Sequence, residues 1–316
     1  MIAPPAPALL AALRPTTIVA APRLARRLGI DVRLASETFQ HTGSFKFRAA
    51  YSVALGVPHP TIVTASSGNF GQALAAGCAR AGKQAIVVMP ESSARVKVDA
   101  VRAYGGEVVL VDTRVTSRAA RVAEVAAAHP EAYVASAYDD DLVISGNSSL
   151  GEELSRLSEP FDTVLAPVGG GGLASGLLLG LRRGGHTASL WGAEPALAND
   201  AARSLAAGER VSNAGEPQTL ADGARTPSLG GRNWEILREG LAGIVEVPEA
   251  AIAEGVRLLF ADANLKAEPT GALGIGALLT SPQNFRGRRV VCVVSGGNVD
   301  ADLYGRLLLH SDSGAS

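Results

Sequence analysis

Short β-branched apolar runs alternate with alanine-rich stretches along almost the whole chain. The runs VRLAS, TIVTAS, QAIVVMP, EVVLVD, AYVAS, DTVLAPV, SLWGAE, GIVEV and RRVVCVV have the length and composition of strands. Most of the intervals between them carry helical spacing, which predicts helices over 69–81, 94–104, 117–128 and 248–261. The alternation predicts an α/β architecture with mainly parallel sheets. The strand runs are apolar throughout, the pattern required of a strand covered by helices on both faces. Ligands in such sheets sit where strands end and loops lead into helices, so the polar and glycine-rich junctions are the places to look.

Composition narrows the classes. At 316 residues, 47% hydrophobic and 19% charged, the chain has the make-up of a globular protein with one large or two moderate cores. A net charge of −1 gives no reason to expect nucleic acid or an anionic membrane as partner. No apolar span approaches the length of a membrane helix, and the start, with its prolines and no basic segment, is a poor secretory signal. Cys78 and Cys292 sit inside apolar runs, which predicts buried free thiols, a reducing compartment and a cytoplasmic location. The tail HSDSGAS is expected to fray.

Four positions carry candidate chemistry. HTGSFKFRAA places Lys46, one of only four lysines among 29 basic residues, between Phe45 and Phe47 at a predicted helix start. One reading is a lysine that keeps its ammonium in water; the other is an amine in a partly dry site, where its pKa falls and it can form a Schiff base. TASSGNFGQALA gathers Ser66, Ser67, Gly68 and Asn69 between a strand and a helix, as either a helix cap or an anion site. VLAPVGGGGLASG sets Gly169, Gly170, Gly171 and Gly172 ahead of a helix, where free N–H groups can close on a phosphate. Gly169, Gly171 and Ala174, with Glu194 about twenty residues on, also meet the loose pattern of a nicotinamide-dinucleotide site, which keeps an oxidoreductase as a distant alternative. VVCVVSGGNVD ends a strand at Ser295, as a plain turn or as a hydroxyl presented to a ligand. An amine, an anion loop, a phosphate loop and a lone hydroxyl would together suit a cofactor bearing an aldehyde, a phosphate and a ring nitrogen; pyridoxal phosphate is such a molecule.

The segments SFKFRAA, SSGNFGQAL, PVGGGGL, AEPALAND, TLADGA, EPTGALG and SGGN stand in the order found in the serine/threonine dehydratase and serine racemase family, and from about residue 14 to 308 the chain resembles these fold-type II pyridoxal-phosphate enzymes. The resemblance implies two open, mainly parallel twisted sheets flanked by helices, with a small substrate-side domain at 61–138 set into a large cofactor-binding domain at 1–60 plus 139–316. It implies that Lys46 links to the cofactor, Asn69 holds its 3′-oxygen, Gly169 to Gly172 with Leu173 bind its phosphate and Ser295 meets the pyridine nitrogen. Ser66, Ser67, Gly68 and Asn69 would line the substrate-carboxylate pocket. Glu194, the Ala198 carbonyl and Asp200 match the family's divalent-cation site, suited to Mg²⁺, Mn²⁺ or Ca²⁺, although a solvated acidic pair at a helix start explains the same carboxylates.

The activity implied is dehydration of β-hydroxy amino acids such as serine or threonine to a 2-oxo acid and ammonia. A serine at the ring nitrogen leaves the cofactor a weaker electron sink than an aspartate would, which suits prompt loss of a β-substituent. Ser67 permits a second base on the opposite face, so a serine racemase is the alternative, and a homodimer is an allowed assembly. Phe70 stands where the family usually has histidine, which extends the expected substrates to larger ones such as phenylserine. SGNSS (145–149) stands where AGQGT is common, so a local loop or the packing beside the cofactor is expected to differ.

Overall fold

The computed structural model describes residues 2–66, 68–93 and 95–309. Its elements run α1 Pro7–Ala12, β1 Thr17–Ala20, α2 Pro22–Leu28, β2 Asp31–Ser36, α3 Lys46–Gly56, β3 Thr61–Ala65, α4 Asn69–Arg80, β4 Gln84–Pro90, α5 Arg95–Ala103, β5 Glu107–Val111, α6 Arg118–Ala128 and β6 Tyr133–Val134. They continue with α7 Asp141–Leu154, β7 Thr163–Pro167, α8 Gly172–Arg183, β8 Ser189–Pro195, α9 Asp200–Ala207, α10 Gly231–Leu237, β9 Leu241–Val247, α11 Glu249–Ala263, α12 Pro269–Thr280, β10 Arg289–Val294 and α13 Ala301–Leu309. Ser67 and the tail HSDSGAS, both singled out in the sequence, lie outside the described residues.

Two sheets organise these elements. One has the order β1-β2-β10-β7-β8-β9 and the other β5-β4-β3-β6. Every pairing is parallel except β1 with β2, so the larger sheet is mixed. Helices cover both faces, which explains why β7 is buried at all five positions. Side chains of β10 go alternately to the two faces: Val290, Cys292 and Val294 join one core, Val291 and Val293 the other. Strands β3 and β4 do the same in the smaller sheet, with Ile62, Val87 and Met89 on one face and Val63, Ile86 and Val88 on the other. Among the described residues no helix is long and apolar enough to cross a membrane.

SGNSS is not a loop. It lies inside α7, packed against α3, where a methyl group on Gly146 would collide with the Arg48 carbonyl. Arg48 is fully buried, with its charge matched by two carboxylates and a third side met by a hydroxyl. It donates to Glu37 at 2.6 Å, to Glu153 at 2.7 Å and to the Ser149 hydroxyl of SGNSS at 3.0 Å. A buried guanidinium is tolerated only when so satisfied. The network fixes α3, the helix whose first residue is Lys46.

Candidate active site

The carboxyl ends of β3, β7 and β10 and the start of α3 converge on a cavity of about 460 Å³. Lys46 enters it from α3. Its ammonium donates to the Ala137 carbonyl at 2.9 Å and sits 5.0 Å from the Phe45 ring centre and 5.8 Å from that of Phe70. Burial lowers its pKa to about 8, against an opposing pull from the Glu268 carboxyl. The share of free amine at neutral pH is then roughly two orders of magnitude above that of an exposed lysine. The snorkelling alternative therefore fails, because this ammonium is inside.

Asn69, the first residue of α4, is held on both sides of its amide. Its Nδ2 donates to Glu268 at 2.7 Å, and its Oδ1 accepts from Asn298 at 2.9 Å and from Gln72 at 3.3 Å. The Ser66 hydroxyl accepts from the N–H groups of Gly68 at 3.2 Å and Gly71 at 2.9 Å, so it caps the start of α4 while also facing the cavity. Phe70 lines the cavity but is only 2% exposed, its ring spent on the core between α4 and the smaller sheet. Little of it is left to stack on a substrate.

The glycine run closes the opposite wall. Gly169, Gly170, Gly172 and Leu173 line the cavity, and α8 begins at Gly172 with its N-terminus toward them. Gly170 passes so close to the Tyr138 ring that a side chain there would strike it. Gly171 does not line the cavity. It caps α8 with a φ of 94°, and its N–H donates to the Val168 carbonyl at 3.0 Å. Strands β7 and β10 are neighbours, so Ser295 stands next to this loop. The Ser295 hydroxyl is buried, lines the cavity and has no partner among the described residues.

Sequence reasoning gave Glu268 no role, although EPTGALG contained it. It is fully buried beside the cavity, and burial, then the charge of Asp222, raise its pKa to about 8 against the pull of Lys97, Asn69 and Lys46. Its neighbour Thr270 also lines the wall and accepts from the Gly223 N–H at 3.0 Å.

Glu194, Ala198 and Asp200 lie elsewhere, at the β8–α9 connection. The Glu194 carboxylate is buried and accepts from the N–H groups of Ala201 at 3.0 Å and Ala202 at 2.9 Å. It cannot reach a ribose hydroxyl, which removes the acidic half of the dinucleotide pattern. Asp200 accepts from Asn213 at 2.8 Å, and its second oxygen is buried without a partner among the described residues. Burial, then the charge of Asp200, raise Glu194 to about 8; burial raises Asp200 to about 6. Among the described residues no three His, Cys, Asp or Glu side chains cluster as metal ligands.

These walls fit pyridoxal phosphate: an amine with a lowered pKa, an orphaned hydroxyl and a glycine cradle at a helix N-terminus face one cavity. The family model described as pyridoxal-phosphate dependent enzyme matches residues 9–296, and the chain belongs to that family. It is 36% identical over 284 residues to an L-threo-3-hydroxyaspartate ammonia-lyase from a Pseudomonas species, spanning 89% of this chain and 88% of that one. The structure resembles a threonine deaminase from T.th., with a TM-score of 0.86 at 37% identity over 92% of this chain and 95% of that one. It also resembles maize serine racemase, with a TM-score of 0.89 at 27% identity over 94% and 92% of the two chains.

Proposed function

We propose that this enzyme removes water from β-hydroxy amino acids and releases a 2-oxo acid and ammonia. The observation that carries this reading is the buried Lys46 amine, facing the orphaned Ser295 hydroxyl and the glycine loop across one cavity. When bound, pyridoxal phosphate supplies the electron sink for the pair released at the α-carbon. Lys46 holds the cofactor and then takes the α-proton on its Nζ. Gly169, Gly170, Gly172 and Leu173 hold the phosphate, with Gly171 shaping the turn. Ser295 meets the ring nitrogen as a neutral partner. Asn69, fixed by Glu268 and Asn298, orients the 3′-oxygen, and the β3–α4 junction at Ser66, Ser67 and Gly68 receives the substrate carboxylate.

The remaining features belong to the same reading. Residues 61–138, which carry the four-stranded sheet, act as the substrate-side domain against 1–60 plus 139–316. Glu194, the Ala198 carbonyl and Asp200 hold a divalent cation such as Mg²⁺, Mn²⁺ or Ca²⁺; two buried carboxyls, one with an unpartnered oxygen, are a reason for a cation to bind. The buried free thiols of Cys78 and Cys292 support a reducing, cytoplasmic setting, and a homodimer is the assembly we expect. Racemisation is the second reading, favoured by the likeness to maize serine racemase.

Assay of purified holoenzyme with serine, threonine and 3-hydroxyaspartate tests the reading. Ammonia and 2-oxo acid should form in equal amounts. Chiral analysis of the recovered amino acid separates elimination from racemisation.

A further inference from the structure

The glycine loop is held from behind by a helix that does not line the cavity. Asp139, between β6 and α7, accepts from the N–H groups of Gly231 at 2.9 Å and Arg232 at 3.0 Å, which satisfies the first donors of α10 and fixes its start. Asn233, the third residue of that helix, is fully buried. Its Nδ2 donates to the Gly170 carbonyl at 2.8 Å and to the Tyr138 carbonyl at 2.9 Å. The Gly230 N–H adds a second bond to the Gly170 carbonyl at 3.1 Å. Asn233 and Gly230 stand outside the cavity wall, so both bonds draw that carbonyl away from the cavity.

Two carbonyls can only accept, which settles which end of the Asn233 amide faces them. Its Oδ1 is then buried without a partner among the described residues. A leucine of similar size would fill the same space without leaving a buried acceptor unsatisfied. Packing alone therefore does not account for an asparagine here.

The loop needs outside support. Gly169 and Gly171 hold φ values of 50° and 94°, and no side chain in 169–172 restrains the backbone. The Gly170–Gly171 peptide is nonetheless fixed at both ends, its carbonyl by Asn233 and Gly230 and its N–H by the Val168 carbonyl at 3.0 Å. The N–H groups of Gly172 and Leu173, in the first turn of α8, have no partner within their helix. Resting on the reading above that this loop holds the cofactor phosphate, we propose that Asn233 is a positioning residue for that phosphate, acting through the Gly170 carbonyl. It orders the loop before the phosphate arrives. A loop released from Asn233 would spread over several backbone conformations, and the phosphate would have to order it at the expense of affinity.

The test titrates full-length apoenzyme, by visible absorbance, with pyridoxal phosphate and with pyridoxal, which keeps the aldehyde and the ring but lacks the phosphate. The ratio of the two dissociation constants reads the contribution of the phosphate and needs no turnover. Asn233→Leu should shrink that ratio by roughly 5- to 30-fold, the worth of one or two hydrogen bonds, with pyridoxal affinity within about 2-fold of wild type. Asn233→Asp has nearly the same shape but donates only while protonated, so its ratio should fall further behind that of wild type as pH rises. Equal weakening of both ligands in Asn233→Leu, or weakening of neither, would overturn the inference and make Asn233 a packing residue. A wild type that binds pyridoxal phosphate no better than pyridoxal would instead overturn the reading that the glycine loop holds a phosphate. Should Asn233→Leu fail to fold, Asn233→Asp decides alone, and a ratio that tracks wild type at every pH would contradict the inference.

Discussion

Asn69 donates to Glu268 at 2.7 Å, joining two residues 199 positions apart at the seam between the smaller and the larger sheet. The bond turns an amide at the head of α4 and a carboxyl at the head of α12 into one rigid wall of the cavity. Asn298 closes the other side of the same amide, so the orientation of Asn69 is set by protein before any ligand arrives.

The first prediction follows from Glu268. Its charge pulls the Lys46 pKa upward, against the larger effect of burial. Free amine is the form that attacks an aldehyde, so cofactor uptake by apoenzyme should rise with pH through a midpoint near 8 instead of 10.5. Glu268→Gln should move that midpoint to lower pH. Stopped-flow absorbance after mixing with pyridoxal phosphate reads it, and a midpoint unmoved in the variant would show that the two groups do not communicate.

A second prediction concerns attachment. Borohydride trapping of the bound cofactor followed by peptide mapping should place the label on Lys46. Lys97 lines the same cavity and is the competing site. A label there would reassign the amine.

The third concerns the β8–α9 carboxyls. The folded state raises Glu194 from 4.5 to about 8. Its bound proton therefore contributes stability in full below 4.5, and that contribution is lost as pH rises through 8. Cation-free protein should melt at lower temperature at pH 8 than at pH 5. Mg²⁺ or Mn²⁺ should restore the melting temperature at pH 8, and Asp200→Ala should abolish that response. A variant that keeps the response would put the cation elsewhere.

Packing supplies the fourth. With Phe70 2% exposed in the core of the smaller sheet, Phe70→Ala should cost about 3–5 kcal/mol by denaturant unfolding. Phe70→His should leave the kcat/KM ratio of phenylserine to serine little changed. A ratio that moves about 5–10-fold toward serine would return the ring to substrate recognition.

Much of the fold was legible because buried parallel strands must be apolar along their length. Strand β1 was not: TIVA is four residues long and partly exposed, giving neither a long apolar run nor an alternation. Lys46, the glycine loop and Ser295 were legible because their chemistry is local to a junction. Glu268 and Arg48 were not, since each acquires its role from partners brought in by folding. FKFRAA gives no sign that Arg48 is fully buried between Glu37 and Glu153. SGNSS pointed to a difference, but only the packing of α3 on α7 shows Ser149 accepting from Arg48.

The most direct test of the account is the product balance of wild type and Lys46→Ala on a β-hydroxy amino acid. The wild type should release ammonia and 2-oxo acid one to one. The variant should fall by at least on the order of 10²–10⁴-fold, the usual worth of a positioned proton-transfer group. Elimination that survives in Lys46→Ala, or wild-type turnover that inverts the α-carbon without releasing ammonia, would contradict it.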